Sequence, residues 1–241
     1  MTATEILREF ELLYSNNISH GGSAGLNSYE ISLYLTNAQK EIIKNYYTGT
    51  SKGVAVDSEE SVKSLLSLYT SITSINSFST STQPTNGLIV KKAAIPSKVW
   101  YILRESVTDG TKEIPVKPIL QDEYLVSVDN PFRRPNGNKV WRLDQKEEAD
   151  TDRMVTLLAK DEFTKYTLVY IEKPTPIVLE DLSEVLAGLT IEGVSEQTIP
   201  SQLTKNNWLT KLIISRAVEL ATKDYRENTL EGQLLLNNRV E

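Results

Sequence analysis

The hydrophobic period of this chain changes partway along, and that switch limits the possible folds more than any other feature. Up to residue 78 apolar side chains recur three and four positions apart, and from residue 88 they alternate. A helix returns to one face about every 3.6 residues and a strand every second residue, so one kind of element cannot bury both patterns. The chain must therefore build helices first and a sheet afterwards.

Local signals place the helices. Thr2 and Glu5 have the spacing of a capping box, and Ile6, Phe10, Leu13 and Tyr14 follow on one face. Asn27 and Glu30 repeat that signal before Ile31, Tyr34, Leu35, Ala38, Ile42 and Tyr46, a stripe ended by Gly49. A third helix is predicted from Asp57 or Ser58, with Glu59 and Glu60 at its N-terminal end and Val62, Leu65, Leu66 and Tyr69 on one face. Residues 70–87, TSITSINSFSTSTQPTNG, then read as a frayed helix end passing into a Ser/Thr-rich linker.

Beyond the linker, GLIVKKAAIPSKVWYILRESV alternates and is rich in β-branched and aromatic residues, and TDGTKEIPVKP supplies a turn and a return strand. KVWRLD, RMVTLLAK and KYTLVYIEKP are further strand candidates, while LQDEYLVSV fits a short helix or a strand equally well. Pro174 and Pro176 close the sheet region, and residues 177–203 read as irregular. Helix returns at about residues 204–224, where Leu209, Ile213, Ala217, Leu220 and Ala221 share a face beside Trp208 and Leu212; the remaining stretch has no clean period.

The expected fold is α+β, a helical body from N- and C-terminal segments with a mostly antiparallel sheet inserted between them. Its regions are 1–87, helical with the linker; 88–176, the β region; and 177–241, an irregular segment, helix and arm packed with the first.

Composition removes several functions. The chain has 241 residues and a net charge of -6, which argues against a protein whose main task is to coat DNA or an anionic membrane. Without cysteine there can be no disulfide or thiolate metal site. No apolar run approaches the roughly 20 residues that span a bilayer, and the N-terminus lacks the pattern of an export signal. The one histidine, His20, sits in the glycine run SHGGSAG, which reads as a solvated loop. Glu147, Glu148, Asp150 and Asp152 lie between two predicted strands without the alternation of a calcium loop, and Glu180, Asp181 and Glu184 read the same way. No nucleophile elbow or phosphate loop is present. The expectation is a non-enzyme with no cofactor and no metal.

One passage looks built for contact. DNPFRRPNGNKVWRLD, residues 129–144, brings together Arg133, Arg134, Lys139 and Arg142 with Phe132 and Trp141 interleaved. Asn130 and Arg134 precede prolines, and Asn136-Gly137 is a strong turn signal, so the basic residues ride on a stiffened loop. Trp141 and Leu143 share one face of the following strand, Val140 and Arg142 the other. The guanidinium groups suit carboxylates of a neighbouring subunit; pairing within the chain and contact with phosphates are the alternatives.

Five segments, EFELLYSNNI, LNSYEISLYLTNAQKEII, NPFRRPNGNKVWRL, LVYIEKPTPIVL and IPSQLTKNNWLTKLIISRAVELATK, in that order resemble structural proteins of the head-to-tail connector in crAss-like bacteriophages. The resemblance covers most of the chain. It implies a virion ring protein of the adaptor kind, a dodecamer assembled in the host bacterial cytoplasm, with the portal protein and neighbouring tail rings as partners and DNA passing through its lumen. Phe132, Arg133, Arg134 and Arg142 are then expected at the boundary between subunits, and Leu234, Leu235 and Leu236 in a C-terminal arm docked on a partner ring. The rival readings are a more distal ring or stopper of the same particle, a nucleic-acid-binding regulator using the loop 132–142, and, last, a hydrolase with a cation in the acidic run.

Overall fold

The structure, a computed structural model, describes residues 1–17, 25–48, 68–80, 87–145, 153–182 and 188–237. His20, the third predicted helix up to Leu66, the acidic run from Glu147 to Asp152, and Glu184 lie outside the described residues. The chain divides into two compact units, Met1–Leu68 with Pro174–Glu241, and Tyr69–Lys173. The first is helical and the second is a sheet, which is the expected α+β class with its mostly antiparallel sheet inserted between helical segments.

In the helical unit both capping boxes form. The Thr2 amide donates to Glu5 Oε2 at 2.8 Å and the Glu5 amide to Thr2 Oγ1 at 3.3 Å, which starts α1, Ala3–Asn17. The Asn27 amide donates to Glu30 Oε2 at 2.9 Å and the Glu30 amide to Asn27 Oδ1 at 2.8 Å, which starts α2, Ser28–Thr48. Each cap contributes about 1 kcal/mol by occupying amides that a helix start leaves without partners. Ile6, Phe10 and Tyr14 of α1 and Ile31, Leu35, Ala38, Ile42 and Tyr46 of α2 are buried, as their spacing predicts.

The C-terminal helix starts close to where the sequence puts it and runs further. A short α4, Ser201–Lys205, precedes α5, Asn207–Asn237, which packs against both α1 and α2 through Leu209, Ile213, Ala217 and Ala221. Arg216 grips Glu41 of α2 with two parallel bonds of 3.1 and 2.6 Å.

The stretch after Pro174 has a definite role although it lacks regular structure. Ser32 and Thr36, one turn apart on α2, are buried and hold its main chain: the Leu179 amide donates to Ser32 Oγ at 3.1 Å and the Ile177 amide to Thr36 Oγ1 at 3.0 Å. Those two hydroxyls satisfy amides that would otherwise be buried without partners.

The second unit is an eight-stranded sheet in the order β1-β8-β4-β5-β6-β7-β3-β2. Its strands are β1 Thr70–Ile75, β2 Ser79–Thr80, β3 Ile89–Ile95, β4 Val99–Thr108, β5 Glu113–Pro118, β6 Val140–Gln145, β7 Arg153–Ala159 and β8 Lys165–Glu172. The two end strands, β1 and β2, are only three residues apart in the chain, so the sheet must curl. Ala93, Val107, Ile114, Val140, Leu157, Tyr166 and Leu168, drawn from six strands, meet in one core on its inner face.

Residues 70–75 correct the sequence reading, which has them as a frayed helix end. They form β1, antiparallel to β8 from Thr70↔Ile171 to Ile75↔Tyr166. Ser and Thr in TSITSI suggest a linker locally, but β-branched Thr and Ile suit a pleated surface once a partner strand is supplied from about a hundred residues away.

Candidate functional site

Every neighbouring pair in the sheet is antiparallel except β5 and β6, which run parallel through Val116↔Val140, Lys117↔Trp141 and Pro118↔Arg142. Parallel neighbours cannot be joined by a tight turn; the chain must cross over a face of the sheet to re-enter at the same end. Residues 119–139 are that crossover, and they contain the basic passage singled out above.

The crossover begins with α3, Gln121–Ser127, which settles the ambiguous LQDEYLVSV segment as helix. It is anchored by Ile119 and Tyr124, which pack with Val90, Trp141, Leu143 and Leu158 on the outer face of β3, β6 and β7. Trp141 is thus in a sheet core, as the alternation of its strand predicts. The Ile119 amide also donates to the Arg142 carbonyl at 2.9 Å. The other side of the crossover is bare: Leu120 is 76% exposed, Leu125 64%, Val126 74% and Phe132 92%. Four large apolar side chains within thirteen residues, all turned to solvent, are unusual on a single surface segment and make this segment the candidate contact surface.

Backbone turns hold the loop that follows. Asn130 Oδ1 accepts from the Phe132 amide at 3.0 Å, and the Asn130 carbonyl accepts from the amides of Arg133 and Arg134 at 3.1 and 3.0 Å. Asn136 and Lys139 pair across a two-residue turn, with Asn136 Oδ1 accepting from the Asn138 amide at 3.0 Å. Lys139 is used internally: its Nζ donates to the Arg133 carbonyl at 2.9 Å and lies 5.7 Å from the centre of the Trp141 ring.

Phe132, Arg133 and Arg134 therefore sit together on a rigid, exposed turn, and among the described residues neither arginine has a carboxylate partner. Arg142 is elsewhere. It points to the inner side of the sheet at 7% exposure, where its Nη1 donates to Glu105 Oε1 and its Nε lies 3.1 Å from Asp144 Oδ1. Tyr166 Oη donates to the second oxygen of Glu105 at 2.6 Å. Burial strongly raises the Tyr166 pKa, and the charge of Glu105 adds to it. Burial opposes the charge on Arg142, but Glu105 and Asp144 outweigh it and the guanidinium is held protonated. Arg142 thus serves its own subunit, because it alternates inward with Val140 while its neighbours in sequence face out.

Leu234, Leu235 and Leu236 occupy the last turn of α5. Among the described residues there is no group of three or more metal-ligating side chains, and no helix is long and apolar enough to cross a membrane. The sequence reading missed Leu120, Leu125 and Val126. For Leu125 and Val126 the signal was available once helix was chosen for 121–127, because Tyr124, Ser127 and Val128 then form the buried side; Leu120 shares the phase of Tyr124 and Ser127 and is exposed because it is the extended residue just before the helix.

A family model described as phage tail ring protein 3/4 matches residues 1–232. The chain is 34% identical to Ring protein 3 of Bacteroides phage crAss001 over 211 aligned positions, 81% of this chain and 84% of that protein. It is 29% identical to Ring protein 4/5 of the same phage over 246 aligned positions, which span the whole of both.

Proposed function

From the premise that this chain belongs to the phage tail ring protein 3/4 family, a structural component of the virion, we propose that it is the repeating subunit of a cyclic ring in the head-to-tail connector. In this reading identical copies, a dodecamer, surround the channel through which the genome passes. The ring is assembled in the cytoplasm of the host bacterium and joins the portal to the next tail component.

The observation that carries the proposal is the exposure of Leu120, Leu125, Val126 and Phe132, with Arg133 and Arg134 next in the chain, on a crossover fixed to the sheet. A ring closes only if each subunit carries two different surfaces that fit each other, since a heterologous contact propagates round the axis. Apolar side chains flanked by guanidinium groups that have no carboxylate partner among the described residues suit the central part of such a contact, where arginine and aromatic residues concentrate. The net charge of -6 supports a lumen along which DNA slides, because sequence-independent DNA binding grows with the number of phosphates neutralised. The reading requires no reaction and no cofactor.

A second position in the same particle, a ring further from the portal, is the alternative, since the relatives are named as ring proteins and neither name mentions a portal. Pull-down with purified portal and with other tail ring proteins separates the two. Capture of portal supports the portal-proximal position, and capture of another ring alone supports the distal one. Binding to neither contradicts both.

A further inference from the structure

The sheet has an end that nothing in the described chain covers. β1 bonds to β8 along one side, and among the described residues no main-chain group of residues 71–75 has a partner on the other. In an antiparallel pair alternate residues turn their N–H and C=O away from the partner strand, so this side presents a row of donors and acceptors without a partner among the described residues.

Soluble proteins blunt such edges with lysine, proline or a bulge, because an open edge recruits any extended peptide. Here none of those devices is present. β1 pairs in unbroken register, and residues 70–90 contain no charged side chain, in a protein where 24% of residues are charged. Ile72 is 69% exposed in the middle of the strand, opposite Val169. Leu103, in the irregular part of β4 where Arg104 pairs with Val169, is 42% exposed.

We infer that the free edge of β1, Ser71 to Ile75, takes up an extended segment of the adjacent copy in the ring, which adds a strand to this sheet by main-chain hydrogen bonds. Main-chain groups select an extended peptide, the absence of charge selects a neutral one, and Ile72 offers it an apolar contact. The adjacent copy is the occupant because ring subunits stand side by side permanently, so an edge paired in this way is never left open to other chains. The inference rests on the ring reading and adds a second surface to the crossover.

The test compares wild-type protein with the double variant Ile72→Lys, Ser74→Lys. Both side chains are exposed, and the substitution removes only a long 3.4 Å contact between Ser74 Oγ and Thr167 Oγ1, so the separate subunit should unfold close to the wild-type denaturant midpoint. Lysines on the edge should raise the concentration needed for ring formation about tenfold or more, read by sedimentation. In wild-type protein, alternate amides among residues 71–75 should exchange hydrogen at least about tenfold more slowly in the ring than in the separate subunit. Rings formed equally well by the variant, amides already protected in the subunit, or amides equally fast in the ring each overturn the edge inference and leave the ring reading standing. Wild-type protein that forms no ring, alone or with its tail partners, removes both.

Discussion

Tyr166 Oη and Arg142 Nη1 donate to the two oxygens of one carboxylate, Glu105, and all three side chains are buried on the inner side of the sheet. They come from β8, β6 and β4, strands that do not follow one another in the chain. The arrangement fixes how those strands meet, because a shifted register would leave a buried charge without a partner. It also explains why Arg142 is absent from the exposed loop. The inner face needs one cation, and the alternation of β6 delivers it there.

Removing the carboxylate should therefore be expensive. Glu105→Ala leaves the buried Arg142 guanidinium with only the half-exposed Asp144 carboxylate beside it, and a loss of about 3 kcal/mol is expected in urea unfolding. The paired change Glu105→Leu, Arg142→Met should lose much less, since no charge remains buried. A single variant within about 1 kcal/mol of wild type would show that the ion pair does not fix the register.

The exposed turn predicts the opposite separation. Arg133→Glu with Arg134→Glu, and separately Phe132→Ala, should leave the stability of the subunit within about 0.5 kcal/mol, because these side chains touch little in their own chain. Both should abolish or greatly weaken ring assembly, measured by sedimentation. Assembly at wild-type concentration in the charge-reversed protein would take the crossover out of the interface.

Leu234, Leu235 and Leu236 end a helix whose earlier turns are already packed against α1 and α2. Deletion of residues 226–241 should leave the subunit folded and remove its binding to the neighbouring ring or portal in a pull-down. Undiminished binding would assign the arm no docking role.

Tyr34 gives a pH dependence. Its hydroxyl donates to Asp224 at 3.0 Å, and burial, followed by that hydrogen bond, raises its pKa from 10.0 to about 12. A phenol that ionises later in the folded state than in the unfolded one contributes stability below pH 10, and that contribution is lost as the pH rises to about 12. Tyr34→Phe should therefore flatten the fall in melting temperature across that window. Identical curves for the two proteins would mean that Tyr34 is not coupled to folding.

Much of the helical unit was legible because its signals are local. Thr2 with Glu5 and Asn27 with Glu30 act over three residues, and the stripes of α1 and α2 act over one turn. In β6 the alternation of Val140, Trp141, Arg142 and Leu143 correctly sorted two faces, but nothing in the sequence says which face an arginine prefers. That depends on Glu105, 37 positions away. β1 was hidden for the same reason, since TSITSI becomes a strand only against β8. The end of α5 has no clean period in the sequence, so periodicity alone could not tell helix from coil there. The outward position of Leu125 and Val126 could be seen only after LQDEYLVSV was known to be helix.

The central claim is that copies of this chain act side by side. Its most direct test is the mass of the purified protein in solution, alone and with its tail partners, by sedimentation or native mass spectrometry. The account predicts a closed oligomer of fixed copy number, formed alone or on mixing, and visible as a ring by electron microscopy. A particle that stays at 27.1 kDa under all those conditions would contradict it.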